Sequence, residues 1–225
     1  TLKTIGARAF ADCSNLSSCN FPAGLTEIGE DGFKSTALTE VTLPGCALGR
    51  EAFYDCKSLK TVKINEGTES IPAECFRFCK ALESVTLPDS VQSINCGGYS
   101  DEGAFNSCLA LKTVSIGSGI TYIDKNAFQT KGTELEITFR KGVTAIPDES
   151  FYERSELTKV ILPDSLKTVG KNAFFNCSNL SVCNFPDGLA KIQAYAFHGT
   201  GLTELTLPGC ALERAAFKSC ESLVS

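Results

Sequence analysis

Apolar and polar positions along this chain alternate in short bursts. Leu82-Glu-Ser-Val-Thr-Leu87 and its counterparts follow L-x-x-V-x-L, the pattern of a half-buried strand. Proline usually follows, at Pro22, Pro44, Pro88, Pro163, Pro186 and Pro208, and closes the strand because it cannot donate to a ladder. Asp-Ser, Asp-Gly or Gly-Cys then supplies turn chemistry. A second, shorter extended piece, L-x-x-I, leads into an Ala-Phe stretch that the pattern predicts as a 3-10 or short helical turn.

The pattern repeats. Phe10, Phe33, Phe53, Phe76, Phe105, Phe128, Phe151, Phe174, Phe197 and Phe217 are separated by 23, 20, 23, 29, 23, 23, 23, 23 and 20 residues. A longer period lies above it, since residues 1–61 align without gaps on 165–225 with 36 identities. Both blocks keep the shortened spacing and the phrase LPGCAL, at Leu43–Leu48 and Leu207–Leu212.

One such unit cannot fold alone. About six buried apolar side chains contribute on the order of 1.5–3 kcal/mol each. Ordering some 23 residues costs roughly 1–2 kcal/mol apiece. Stacked units share apolar faces and strand pairing, so stability grows with each copy. At a strand spacing of about 4.8 Å, ten coils predict a rod or arc roughly 45–50 Å long.

A 23-residue unit carrying A-F-x-x-C and then L-x-x-V-x-L-P resembles the leucine-rich repeats of the BspA-like class of surface proteins. It departs from the wider leucine-rich consensus, which carries Asn or Cys shortly after the strand. The resemblance implies an α/β-type repeat solenoid: a right-handed leucine-rich-repeat superhelix, β-rich, with short 3-10 or helical turns on the convex side. Residues 1–225 read as one domain of about ten units, cut within a repeat at both ends. The missing initiating Met and signal peptide read as a processed or excised piece. Open coil faces at the two ends imply end-to-end self-association.

Twelve cysteines raise the question of disulfides or metal. Cys13, Cys56, Cys79, Cys108, Cys177 and Cys220 share one slot, three residues after Phe. Cys19 and Cys183 replace the strand Val, and Cys75 precedes Phe76. These are positions for a small buried group, which favours unpaired thiols. Cys46, Cys96 and Cys210 lie in turns, where pairing stays open. Cys75 and Cys79 have no second pair or histidine at zinc spacing, so no metal and no cofactor are expected.

A net charge of −5 provides no basic stripe for nucleic acid, and no apolar run is long enough for a membrane helix. No catalytic motif occurs, and the one histidine, His198, reads as an ordinary exposed position. The largest departure from the repeat is the insertion at 95–103, NCGGYSDEG. There Tyr99 could anchor a partner and Asp101 and Glu102 could offer oxygens, unless the insertion is a tolerated bulge. The sixth unit, from Gln129, is displaced by one residue and predicts a local bulge.

Outward strand positions form rows when units stack. One reads Asn20, Thr42, Lys63, Thr86, Ser115, Thr138, Ile161, Asn184, Thr206; the next reads Ser18, Glu40, Thr61, Ser84, Thr113, Glu136, Lys159, Val182, Glu204. Threonine suits exposed strands in any case. The sharper reading is a concave binding face in a non-enzymatic, adhesin-type module that is secreted or on the cell surface. Its ligand would be a protein or glycan, and the resemblance points to host matrix proteins. A structural spacer displaying another domain is the alternative, as is a cytoplasmic interaction scaffold, which the thiols would suit.

Overall fold

In the computed structural model, which describes residues 2–95, 102–132 and 134–224, the chain winds into a parallel-strand β-solenoid of about nine turns. The strands are β1 (Thr4–Ile5), β2 (Glu27–Ile28), β3 (Glu40–Leu43), β4 (Ala47–Leu48), β5 (Thr61–Ile64), β6 (Ser70–Ile71), β7 (Ser84–Thr86), β8 (Ser93–Ile94) and β9 (Thr113–Ile116). They continue as β10 (Tyr122–Ile123), β11 (Leu135–Phe139), β12 (Ala145–Ile146), β13 (Leu157–Ile161), β14 (Thr168–Val169), β15 (Val182–Cys183), β16 (Lys191–Ile192) and β17 (Ala211–Leu212). The longer strands β3, β5, β7, β9, β11 and β13, with the two-residue β15, pair in sequence order as one parallel sheet. The other two-residue strands make a second side in three separate groups: β1-β2-β4, β6-β8-β10 and β12-β14-β16-β17.

Inward residues of both sides meet the phenylalanine column. All ten phenylalanines stack in sequence order, with ring centroids 5.0–5.5 Å apart and planes within 21° of parallel. Spacing of this kind is offset stacking at the step of the strand ladder. The six-residue insertion does not disturb it: Phe76 and Phe105 are 5.4 Å apart. One continuous apolar cluster runs from Ile5 to Ala216.

The Ala-Phe stretches are not helical. No described residue lies in a helix, so neither the α component nor the expected 3-10 turns are present. The reason is a backbone that alternates its partners. Gly32, Lys34 and Thr36 donate within the coil, to Gly29, Asp31 and Phe33, while Asp31, Phe33 and Ser35 donate to Arg50, Ala52 and Tyr54 of the next coil. A helix would spend every amide locally. The residues two before and two after Phe take left-handed φ values, such as 55° at Asp31 and 57° at Ser35. The same pair recurs at Glu51 and Asp55, Glu149 and Glu153, and Asn172 and Asn176. Left-handed φ is costly for residues with a Cβ, and the inter-coil bonds hold it in place.

The expected bulge is found where the sixth unit is displaced. Register shifts between Leu135 and Glu136, leaving Thr158 of β13 unmatched, and the Thr158 hydroxyl donates to the Leu135 carbonyl at 3.2 Å. The outward rows are shorter than expected. Ser18, Asn20, Asn184, Glu204 and Thr206 lie outside any strand.

The slot three residues after Phe forms a thiol ladder. Cys56, Cys79, Cys108, Cys177 and Cys220 donate to the carbonyls of Phe33, Phe53, Phe76, Phe151 and Phe197 of the preceding coil, at 3.0–3.2 Å. Thr36 and Thr200 fill the slot with a hydroxyl bonded to the Phe carbonyl of their own coil, at 3.0 and 3.1 Å. All described cysteines are free, including Cys46 and Cys210; Cys96 lies outside the described residues. Cys13 is exposed, contrary to the general expectation for its slot, because no preceding coil covers it. Burial pushes the thiols of Cys75 and Cys108 up, that of Cys46 up to about 11 and that of Cys177 up to about 12.

Two outcomes follow. Phe105→Ala opens a cavity in the middle of the column and should cost about 3–5 kcal/mol in denaturant unfolding. In native protein a maleimide should label Cys13 quickly, while Cys46, Cys56, Cys75, Cys79, Cys108 and Cys177 should react only after unfolding, as peptide mass mapping would show.

Candidate functional site

The long sheet has one face in the core and one outside. Val41, Val62, Val85, Val114, Ile137 and Val160 point inward and are buried. Pairing places the intervening residues in register: Thr42 beside Lys63, Lys63 beside Thr86, Thr86 beside Ser115, Ser115 beside Thr138 and Thr138 beside Ile161. Six residues from six coils thus stand in one outward line. Thr42, Lys63, Thr86 and Ile161 are exposed; Ser115 and Thr138 are half-buried.

The neighbouring row, Glu40, Thr61, Ser84, Thr113, Glu136, Lys159 and Val182, is equally in register. Lys159 pairs with Glu136 at 3.3 Å. The face changes character along its length. It is polar from β3 to β11 and then presents Ile161 and Val182, 38% and 52% exposed. Its polar part can donate and accept hydrogen bonds, and its apolar end can desolvate a partner's side chain.

Of the insertion residues, Tyr99 and Asp101 lie outside the described residues. Glu102 is half-buried and bonds to Arg77 at 3.0 Å, so it is engaged within the protein. It ends a chain of ion pairs that crosses five coils on the turn face. Asp31 links Arg8 and Lys34, both at 3.1 Å; Lys34 reaches Glu51 at 2.7 Å; Glu51 meets Arg50 at 3.5 Å. Arg50 pairs with Glu74, which bonds to Arg77 at 2.7 Å. Burial disfavours the Asp31 charge, but hydrogen bonds from Lys34 and Arg8 outweigh it and hold the carboxyl below its usual range.

Further along, this face is aromatic. Tyr152 stacks on Phe175 at 5.0 Å and Phe175 on His198 at 4.7 Å, with Tyr195 edge-on to His198 at 5.9 Å. His198 is therefore half-buried in a ring stack, with Nδ1 enclosed and without a hydrogen bond, and is not the ordinary exposed position expected. The signal was present in the slot after Phe, where Tyr152, Phe175 and His198 follow one another at the repeat spacing. Among the described residues, no three His, Cys, Asp or Glu side chains are grouped so as to hold a metal ion.

A family profile described as BspA type leucine-rich repeat region matches six copies over residues 1–102 and 99–224. Among solved structures, a leucine-rich repeat protein from Bacteroides ovatus is 24% identical with a TM-score of 0.60, over 99% of this chain and 63% of that one. One from Eubacterium ventriosum is 22% identical with a TM-score of 0.51, over 100% of this chain and 69% of that one. At these identities the likeness concerns the fold. No curated protein is matched.

The depressed Asp31 carboxyl sets a pH dependence. Its contribution is present above the unfolded carboxylate value of about 3.9 and is lost as pH falls through the lower folded value. Asparagine tolerates left-handed φ, so Asp31→Asn removes charge without adding strain. Its melting temperature should fall below that of the wild type at pH 7, and the two curves should converge as pH falls through the lowered folded value of Asp31.

Proposed function

The chain belongs to the BspA-type leucine-rich repeat family, and on that premise we propose that it is a non-enzymatic, protein-binding module of a surface-displayed or secreted adhesin, engaging its ligand through the strand face. The observation that carries this reading is the register of Thr42, Lys63, Thr86, Ser115, Thr138 and Ile161. Such a line repeats hydrogen-bonding groups at a fixed spacing on a rigid sheet, which suits an extended protein segment. The exposed Ile161 and Val182 supply an apolar contact at one end of this face. A glycan is the second ligand class, favoured by the short hydroxyl side chains and by Lys63.

A spacer role rests on a different feature: the row carries no aromatic anchor of the kind that dominates binding energies. The two readings separate on one measurement. Binding to an immobilised extracellular-matrix preparation should fall about tenfold or more when Lys63, Thr86 and Ser115 are changed together to alanine, with the melting temperature retained. Equal binding by the wild type and the triple variant would favour the spacer.

A further inference from the structure

The short-strand side of the solenoid is interrupted twice, and each interruption has a proline at its centre. At this position Gly29, Gly49, Asn95, Asp124, Gly170, Gln193 and Glu213 each donate a backbone N–H to the preceding coil, to Ile5, Ile28, Ile71, Ile94, Ile146, Val169 and Ile192. Pro72 and Pro147 occupy the two remaining steps and have no N–H to give. These are the steps between β4 and β6 and between β10 and β12, where the sheet divides.

The two interruptions differ. Across the first, the buried Thr68 hydroxyl donates to the Cys46 carbonyl at 2.9 Å and accepts from the Cys46 N–H at 3.3 Å. Val143 takes the place of Thr68 at the second and offers no such bridge. There no Cα of Tyr122–Ile123 comes within 8 Å of Ala145–Ile146. The turn face is open at the same step. Each of the other phenylalanines of the stacked column with a following coil donates its N–H to that coil, but Phe128 does not reach Ser150, and the Asn126 N–H turns to the Asp124 side chain at 2.8 Å. The long sheet and the ring column, with Phe128 and Phe151 at 5.5 Å, do run through.

The outcome is a notch lined by Thr121, Tyr122, Asp124, Lys125, Asp148 and Glu149. Its walls are strand edges with open hydrogen-bonding groups. Among the described residues, the Thr121 carbonyl, both backbone groups of Ile123 and both of Ala145 have no backbone partner. A separation beyond 8 Å exceeds one strand spacing of about 4.8 Å and approaches the roughly 9.5 Å that an intervening strand requires. Three carboxylates against one ammonium give the notch a negative balance.

We propose that this notch is a docking slot for an extended segment of a partner polypeptide. The segment enters as a parallel strand between β10 and β12 and sets a lysine or arginine against Asp124, Asp148 and Glu149. Main-chain bonds to Thr121, Ile123 and Ala145 supply affinity, and the carboxylates select for the basic side chain. This surface is separate from the strand face and does not depend on the function proposed for that face.

The test starts from a displayed library of random nonapeptides selected on the wild-type protein. The recovered peptides should be rich in lysine or arginine alternating with β-branched residues, and should slow amide hydrogen exchange at Ile123 and Ala145. Pro147→Ala restores the missing donor and should weaken them about tenfold or more, while Pro72→Ala leaves their affinity unchanged. Asp148→Asn with Glu149→Gln, both on the surface, should weaken basic peptides and remove the salt dependence of binding. Recovery of no peptide, unchanged exchange at Ile123 and Ala145, or equal binding by the Pro147→Ala protein would overturn the proposal.

Discussion

Backbone groups buried between coils can be satisfied only by the coils on either side. A 23-residue turn of chain is too short to pair its own strands, so its amides and carbonyls go up and down the stack. That constraint sets the step, and the step sets everything that recurs. Phenylalanine rings 5.0–5.5 Å apart are the side-chain image of this backbone spacing. So are the thiols of Cys56, Cys79, Cys108, Cys177 and Cys220, each donating to the Phe carbonyl of the coil before it. Even the left-handed residues on either side of Phe make sense here, since they turn alternate amides toward the neighbouring coil.

Because the core demands the same residue in every coil, variety is confined to surfaces. On the turn face this produces two regions. The first is charged, with Arg8, Asp31, Lys34, Glu51, Arg50, Glu74, Arg77 and Glu102 joined end to end. The second is aromatic, with Tyr152, Phe175 and His198 in one stack. On the strand face the change is from polar to apolar, at Ile161. Stacking turns a single position of the repeat into a line some six coils long. A solenoid builds its surfaces by reading down columns.

Proline shows how one missing donor acts at this scale. Pro44, Pro88 and Pro163 follow the long strands in a slot where Asn65 and Arg140 donate to the preceding coil, yet the long sheet stays continuous because its other residues remain paired. Pro72 and Pro147 sit where every other coil donates, and each divides the short-strand side. Thr68 compensates at the first division and nothing equivalent does at the second. The same residue type therefore closes strands in one column and opens a seam in another.

Much of this was legible in the order of residues. The Phe spacing marked the coils, the alternation of Leu82–Leu87 marked the long strands, and the displaced sixth unit marked the bulge at Leu135. The shared slot of Cys56, Cys79 and Cys108 marked unpaired thiols. These follow from local periodicity, which a stack preserves because each unit meets a copy of itself. Only the tertiary structure decided whether the Ala-Phe stretch would be a helical turn or a ladder. It also decided how His198 is buried, where Glu102 finds its partner and which two of eight prolines break the sheet. Each of those depends on what the adjacent coil offers across about 5 Å, and a residue's own neighbours in sequence carry no record of it.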